Sequence, residues 1–175
     1  QVCVHAFIGK LADGSIATYQ TLPWNHRGWH GGSGLKGSVN DTHIGFEICE
    51  DGLTDKTYLN AVYKEATELC AYLCKEYKLE PMADGIIIGH YEGYKRGIAS
   101  NHADPGHWFP KHGKSMDTFR AEVKKLLTSI EGSTPTEPKK LYRVQVGAYS
   151  VKANADAMLK RVKAAGFKDA FIKTE

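Results

Sequence analysis

Between Asp55 and Lys78, apolar residues recur at Leu59, Val62, Ala66, Leu69 and Leu73, three and four positions apart. That spacing predicts a helix laying one face on a sheet, with Thr54 or Asp55 placed to cap its start. The same period returns from about Ser115, where Met116, Phe119, Val123, Leu126 and Ile130 form the buried stripe of a second helix. Upstream the pattern is that of strands. Val2 to Ile8 and Ile16 to Gln20 flank Asp13-Gly14, a hairpin-turn dipeptide, and Thr42 to Cys49 predicts a third strand. Ile86-Ile87-Ile88 is a β-branched run that predicts a short buried strand, with Gly89 and His90 at its carboxyl end, where α/β proteins place their sites. The succession predicts an α/β fold, a mixed central sheet flanked by helices.

Composition narrows the class. The chain has 175 residues, 42% of them hydrophobic, which supports one core of ordinary size and a small appendage. No apolar run approaches the roughly 20 residues that span a bilayer, so no integral membrane segment is expected. The chain opens Gln1-Val2-Cys3-Val4 within a predicted strand and without methionine, so further residues are expected upstream, and the lack of a targeting signal carries no weight. The four cysteines do not form a disulfide pattern: Cys70 and Cys74 lie one helical turn apart and the other two fall in apolar strands, which predicts free buried thiols. Their spacing matches no structural zinc pattern.

Charge divides the chain. Residues 139–175 carry nine Lys or Arg against three Asp or Glu, while the remainder is net negative. Glu131 to Pro138, with its Gly, Ser, Thr and two prolines, reads as a semi-extended linker. Beyond it, Tyr142, Val144 and Val146 alternate as in a strand, Ala155, Met158, Leu159 and Val162 form a helical stripe, and Gly166 stands at the helix end, which together predict a small βαβ module.

The candidate chemistry lies in Gly89 to Pro110, which gathers His90, His102, Asp104 and His107. Zinc accepts imidazole nitrogen and carboxylate oxygen, and a catalytic zinc keeps one position open. Pro105-Gly106 is a turn dipeptide able to fold Asp104 back toward His90. His107 is expected to be structural. Gly28 to Gly37 contains five glycines, equally suited to a surface loop or to close approach of a ligand, and Trp24, Trp29 and His30 among them tilt the reading toward a groove for sugar or peptide.

Taken in order, VHAFIGKLADGSIATYQTLPWNHRGWHGGSG, THIGFEICE and GHYEGYKRGIASNHADPG resemble the zinc N-acetylmuramoyl-L-alanine amidases related to phage lysozyme-type amidases and animal peptidoglycan recognition proteins. The resemblance covers about residues 1–128. It implies hydrolysis of the amide between N-acetylmuramic acid and the first L-alanine of the stem peptide, with zinc as cofactor. It further implies His90 and Asp104 as metal ligands, Glu47 as general base, and His102 as the donor that steadies the oxyanion. Trp29, His30 and Asn101 are implied to bind the glycopeptide. The family's first zinc histidine would fall before Gln1, and His5 matches a non-ligand position. The organisation implied is a catalytic domain at 1–130 lacking its N-terminal strand, a linker at 131–140, and a module at 141–175.

The tail resembles a sporulation-related (SPOR) repeat through YRVQVGAYS and NADAMLKRVKAAGF. That implies binding to bacterial peptidoglycan, with self-association as an option because such domains hold two of these units. Localisation at the bacterial cell wall follows, as an autolysin or a phage endolysin. The competing expectation is a peptidoglycan-binding protein that does not cut. Nucleic acid is disfavoured as a partner, since the tail has charge but no recognised motif.

Overall fold

In the computed structural model, which describes residues 3–132, 147–168, 170–172 and 174, the hairpin expected around Asp13-Gly14 is present. Strand β1 (Ala6–Lys10) pairs antiparallel with β2 (Ile16–Gln20). Asp13 Oδ1 accepts from the Ser15 N–H and hydroxyl at 3.0 and 2.7 Å, and Gly14 takes the positive φ of 88° that the turn demands. The glycine-rich segment folds into a two-residue hairpin, β3 (Ser33–Gly34) with β4 (Gly37–Ser38). Strand β5 (Phe46–Ile48) adds to β1 in parallel, giving the order β2-β1-β5. The sheet is mixed, as expected, but small. β1 begins at Ala6 rather than Val2, and Thr42 to Cys49 yields a strand only at Phe46–Ile48. Residues 39–41 turn as a 3-10 helix capped by Ser38, and Thr42 N and His43 N donate back to Val39 O at 3.3 and 3.0 Å, which uses backbone that a longer strand would have paired.

Helix α1 (Lys56–Tyr77) is capped by Asp55, whose carboxylate accepts from Thr57 N at 2.7 Å and Tyr58 N at 3.0 Å. It ends in a left-handed residue, Lys78 at φ 54°. Helix α3 (Met116–Gly132) packs on α1. Leu59, Val62, Tyr63, Ala66, Phe119, Val123, Leu127, Trp108 and Phe109 form the centre of the core. Each large apolar side chain fully buried there contributes about 1.5–3 kcal/mol. The α3 stripe differs in detail from the expectation: Leu127 is buried, Leu126 flanks it, and Ile130 is exposed. α3 also continues through Gly132, so the first two residues of the expected linker are helical; residues 133–146 lie outside the described residues.

Ile86-Ile87-Ile88 is not a strand. Ile86 N donates to Ala83 O in a turn, and Ile87 O accepts from the Arg120 guanidinium at 2.9 Å. β propensity is expressed only when a neighbouring strand supplies a ladder, and none of the described strands lies beside this segment. His90 therefore begins helix α2 (His90–Arg96) instead of ending a strand. Glu92 Oε2 accepts from Gly89 N at 2.9 Å, and the same carboxylate meets Arg120 at 3.0 Å through both guanidinium nitrogens.

Cys70 and Cys74 are free and buried, whereas Cys3 and Cys49 are free and exposed, against the expectation for those two. Cys49 lies one residue past β5 and Cys3 precedes β1. No helix among the described residues is long and apolar enough to cross a membrane.

The chain divides into two units, Gln1–Thr134 and Pro135–Glu175. In the second, α4 (Lys152–Ala164) carries the expected stripe, and Gly166 follows it at φ 104°. None of its helical residues is buried, and Phe167 and Phe171 are exposed. The expected first strand, at Tyr142, Val144 and Val146, lies outside the described residues. Ala170, Phe171 and Ile172 are described and are not in a strand.

Candidate functional site

Helix α2 starts where it does because Gly89 lets the 104–107 loop close over it. A Cβ at Gly89 would stand 2.8 Å from Pro105 Cδ. Through that gap Tyr91 N donates to Asp104 O at 3.3 Å, which ties the loop to the first turn of α2. The result places His90 Nδ1 3.3 Å from Asp104 Oδ2, across 14 residues of sequence. The His102 ring lies against His90 at a tilt of 35°, ring centroids 4.7 Å apart, and its Nδ1 lies 4.0 Å from Asp104 Oδ1.

The tautomer of His90 follows from its other nitrogen. Ser100 Oγ donates to Gly31 O at 3.1 Å, which commits the hydroxyl proton, so its remaining contact, His90 Nε2 at 3.1 Å, is one in which the serine oxygen accepts. The proton sits on Nε2. Nδ1 then presents a lone pair to a carboxylate oxygen, an arrangement of two acceptors that is favourable only with a proton or a cation between them. The donor set, one imidazole oriented by a hydrogen bond on its far nitrogen and one carboxylate, is that of a zinc ligand pair with its outer support. Among the described residues no three His, Cys, Asp or Glu side chains form a ready metal cage.

Glu47 projects from β5 and lines the same cavity as His90 and Asp104, a space of about 630 Å³. Desolvation, the charge of Asp104 and then that of Glu50 raise its carboxyl above the usual range, with His102 opposing. The side chain keeps solvent access, so desolvation and the neighbouring carboxylates raise it together. Glu50 accepts from His107 Nε2 at 2.6 Å, which fastens the loop after Asp104 to the end of β5. His107 is thus held as a structural residue would be, although its Nδ1 is buried without a partner.

His30 lines the cavity and is partly buried. Its N–H donates to Asn40 Oδ1 at 2.9 Å and its Nε2 to His43 O at 3.2 Å. Desolvation, the largest influence, holds its pKa below the ordinary value. Its ring lies so close to Gly45 that a Cβ there would come within 2.2 Å. Trp29 is not in the cavity wall. It is 53% exposed, pairs its backbone with Cys3, and carries the Arg27 guanidinium 5.3 Å over its ring. Asn101 is exposed and likewise outside the wall, while Trp24, grouped with the glycine loop by sequence alone, lines it. His5 is buried and fully occupied: Nδ1 accepts from Gly45 N at 3.0 Å and Nε2 donates to His26 O at 2.8 Å.

With this geometry in view, comparison with known proteins decides the family. The family model for N-acetylmuramoyl-L-alanine amidases matches residues 1–107. The chain belongs to the N-acetylmuramoyl-L-alanine amidase family. A SPOR domain matches residues 114–175, reaching back over α3 as well as the tail. The N-acetylmuramoyl-L-alanine amidase CwlH of Bacillus subtilis (strain 168) is 30% identical over an alignment of 109 residues that covers 54% of this chain and 41% of that protein. A solved structure, the Staphylococcus aureus hydrolase AmiA in complex with its ligand, superposes with a TM-score of 0.62 at 21% identity, covering 75% of this chain and 61% of that one. That likeness shows a shared fold. The chain spans less than two thirds of the length of either relative.

Sequence reasoning about this amidase domain missed Ser100 and Glu50. Both act through a histidine, Ser100 through His90 and Glu50 through His107. Their pairing spans 10 and 57 residues, and no local pattern announces it.

Proposed function

We propose that this chain acts on bacterial peptidoglycan as a zinc-dependent N-acetylmuramoyl-L-alanine amidase, cutting between N-acetylmuramic acid and L-alanine. The observation that carries the reading is the His90 Nδ1 and Asp104 Oδ2 pair, two acceptors facing each other at 3.3 Å with the histidine proton on Nε2, donated to Ser100 Oγ. His90 and Asp104 would hold the metal. When bound there, zinc supplies Lewis-acid polarisation of a carbonyl and a more acidic water.

The chain's own residues account for the remaining steps. Glu47, lifted above the ordinary carboxyl range, is suited to take a proton from the attacking water and pass it to the leaving amine. His102, beside the His90 ring, can donate to the oxyanion that develops on the scissile carbonyl. His30 is placed by Asn40 and His43 in the wall where the stem peptide would lie, and Trp29 offers an exposed aromatic face nearby in sequence. The basic tail and its SPOR match support retention on the anionic cell wall, the proposed place of action.

The test is incubation with purified peptidoglycan at defined zinc concentration, reading newly freed L-alanine amino groups. Glu47→Gln should abolish release while the variant still sediments with insoluble wall. Sedimentation with no release by the unaltered chain, at any zinc level, would favour the non-catalytic wall-binding reading.

A further inference from the structure

His90 is oriented from a distance. Its Nε2 donates to Ser100 Oγ at 3.1 Å, and that hydroxyl is aimed by Gly31 O, which accepts from Ser100 N at 2.9 Å and from Ser100 Oγ at 3.1 Å. The direction of one glycine carbonyl therefore decides which nitrogen of His90 keeps its proton. Gly31 and Gly32 cannot fix that direction by themselves. A Cβ at Gly31 would collide with Val39 Cγ1, and Gly32 stands at φ 71°, so the turn excludes larger residues and is built from those with the most backbone freedom to lose.

The side chain that holds the turn is Asn40. Its Oδ1 accepts from His30 N and from Gly31 N, each at 2.9 Å, and its Nδ2 donates to Gly32 O at 3.2 Å. Asn40 is 3% exposed, so water does not replace these bonds when they are lost. Its own footing is fixed: Val39 N donates to Ile98 O at 2.7 Å and Asn40 N to Ser38 Oγ at 3.3 Å. The residue does not line the cavity that holds Glu47, His90 and Asp104, and so it reaches the site only through the backbone. Because one oxygen takes the N–H groups of two successive residues, it sets His30 in the cavity wall and the Gly31 peptide together.

We infer that Asn40 is a positioning residue for the His90 imidazole, acting in series through Gly31 O and Ser100 Oγ to keep the proton on Nε2 and the Nδ1 lone pair toward Asp104. The consequence for zinc rests on the amidase reading, whereas the tautomer belongs to the metal-free chain and is independent of it. An amide with a merely structural part would lower stability when removed and leave the His90 proton where it is. A positioning amide moves it, since Asp104 Oδ2 stands 3.3 Å from Nδ1 and accepts a proton placed there once the serine no longer competes.

The experiment labels the histidine rings of the whole 175-residue chain with nitrogen-15 and reads their tautomers by NMR without metal, at about pH 8, where an ordinary imidazole is neutral. The unaltered chain should hold the His90 proton on Nε2. Asn40→Ala should move it toward Nδ1 and lower zinc affinity, by competition titration, about 3- to 10-fold. Asn40→Asp, which keeps an acceptor for both N–H groups and gives up only the Gly32 contact, should restore both. With Ser100→Ala already present, Asn40→Ala should cost no further affinity, because the two act in series. An unmoved proton in Asn40→Ala, or losses that multiply in the double variant, would overturn the inference. Should Asn40→Ala fail to fold, Ser100→Ala decides alone: hydrogen exchange at the His30 and Gly31 amides should quicken about 3- to 10-fold, and unchanged exchange overturns the inference equally. If the unaltered chain held no zinc and freed no L-alanine, the amidase reading would fail, while the tautomer and exchange results would still decide this one.

Discussion

Replacing Arg120 by alanine isolates the contact that fixes the start of α2 and hence His90. The guanidinium donates to Ile87 O at 2.9 Å, to both Glu92 oxygens at 3.0 Å, and to Asp117 Oδ1 at 2.8 Å. Arg120 and Glu92 side chains are 16% and 20% exposed, whereas Asp117 is 90% exposed. The Asp117 bond therefore contributes little. The other three meet partners that water reaches poorly, and removing the guanidinium leaves a carboxylate and a carbonyl short of donors. At about 1.5–3 kcal/mol for a hydrogen bond to a charged group, discounted because such bonds do not add and water partly replaces them, the loss is about 2–4 kcal/mol. For a unit of this size that lowers Tm by roughly 6–15 °C. The assay is thermal unfolding followed by circular dichroism, run as a double-mutant cycle with Glu92→Ala, where a coupling of about 1–3 kcal/mol is expected. Lys64→Ala, which breaks an exposed i,i+4 pair with Glu68, is the control and should cost under about 0.5 kcal/mol. An Arg120→Ala loss no larger than that control, or an additive cycle, would refute the argument that this clamp holds the site.

Three further outcomes are expected. Ser100→Ala removes the acceptor that keeps the His90 proton on Nε2; zinc affinity by competition titration should fall about 10- to 100-fold while stability drops by only about 1 kcal/mol. Because the folded carboxyl of Glu47 is raised, the folded chain binds more protons than the unfolded one as pH rises past the ordinary glutamate value, so stability is lost across that window. Glu47→Gln should therefore raise Tm relative to the unaltered chain at pH 7 and leave it unchanged at pH 3.5; a gain at both would disprove the electrostatic account. Gly45→Ala drives a methyl to within 2.2 Å of the His30 ring and should cost about 1–3 kcal/mol, read by urea denaturation, with a shifted His30 resonance in the NMR spectrum.

Much of the fold was legible because its determinants are local. The Asp55 cap, the α1 stripe and the Asp13-Gly14 turn each act within a few residues, and each appears where the pattern placed it. Ile86-Ile87-Ile88 was misread because strand formation depends on a partner, and composition records only the readiness to pair. In the site, His90 and Asp104 were singled out by local composition and by the family resemblance, and the structure brings their side chains within 3.3 Å of each other. The roles of Ser100 and Glu50 depend on which ring nitrogen faces which neighbour, a property of three-dimensional placement. Trp29 and Asn101 were grouped with the site by motif, yet the cavity wall is completed by Trp24 instead.

The Ser100 hydroxyl touches Gly31 on one side and His90 on the other, joining chain positions 69 and 10 residues away. The glycine-rich segment and the His90 imidazole are thus mechanically one part. A change of length or sequence in the hairpin would be felt as a change in imidazole orientation, so under the proposed function diversification of that loop would carry a penalty in metal retention. Variation there should be accompanied by compensating change at position 100.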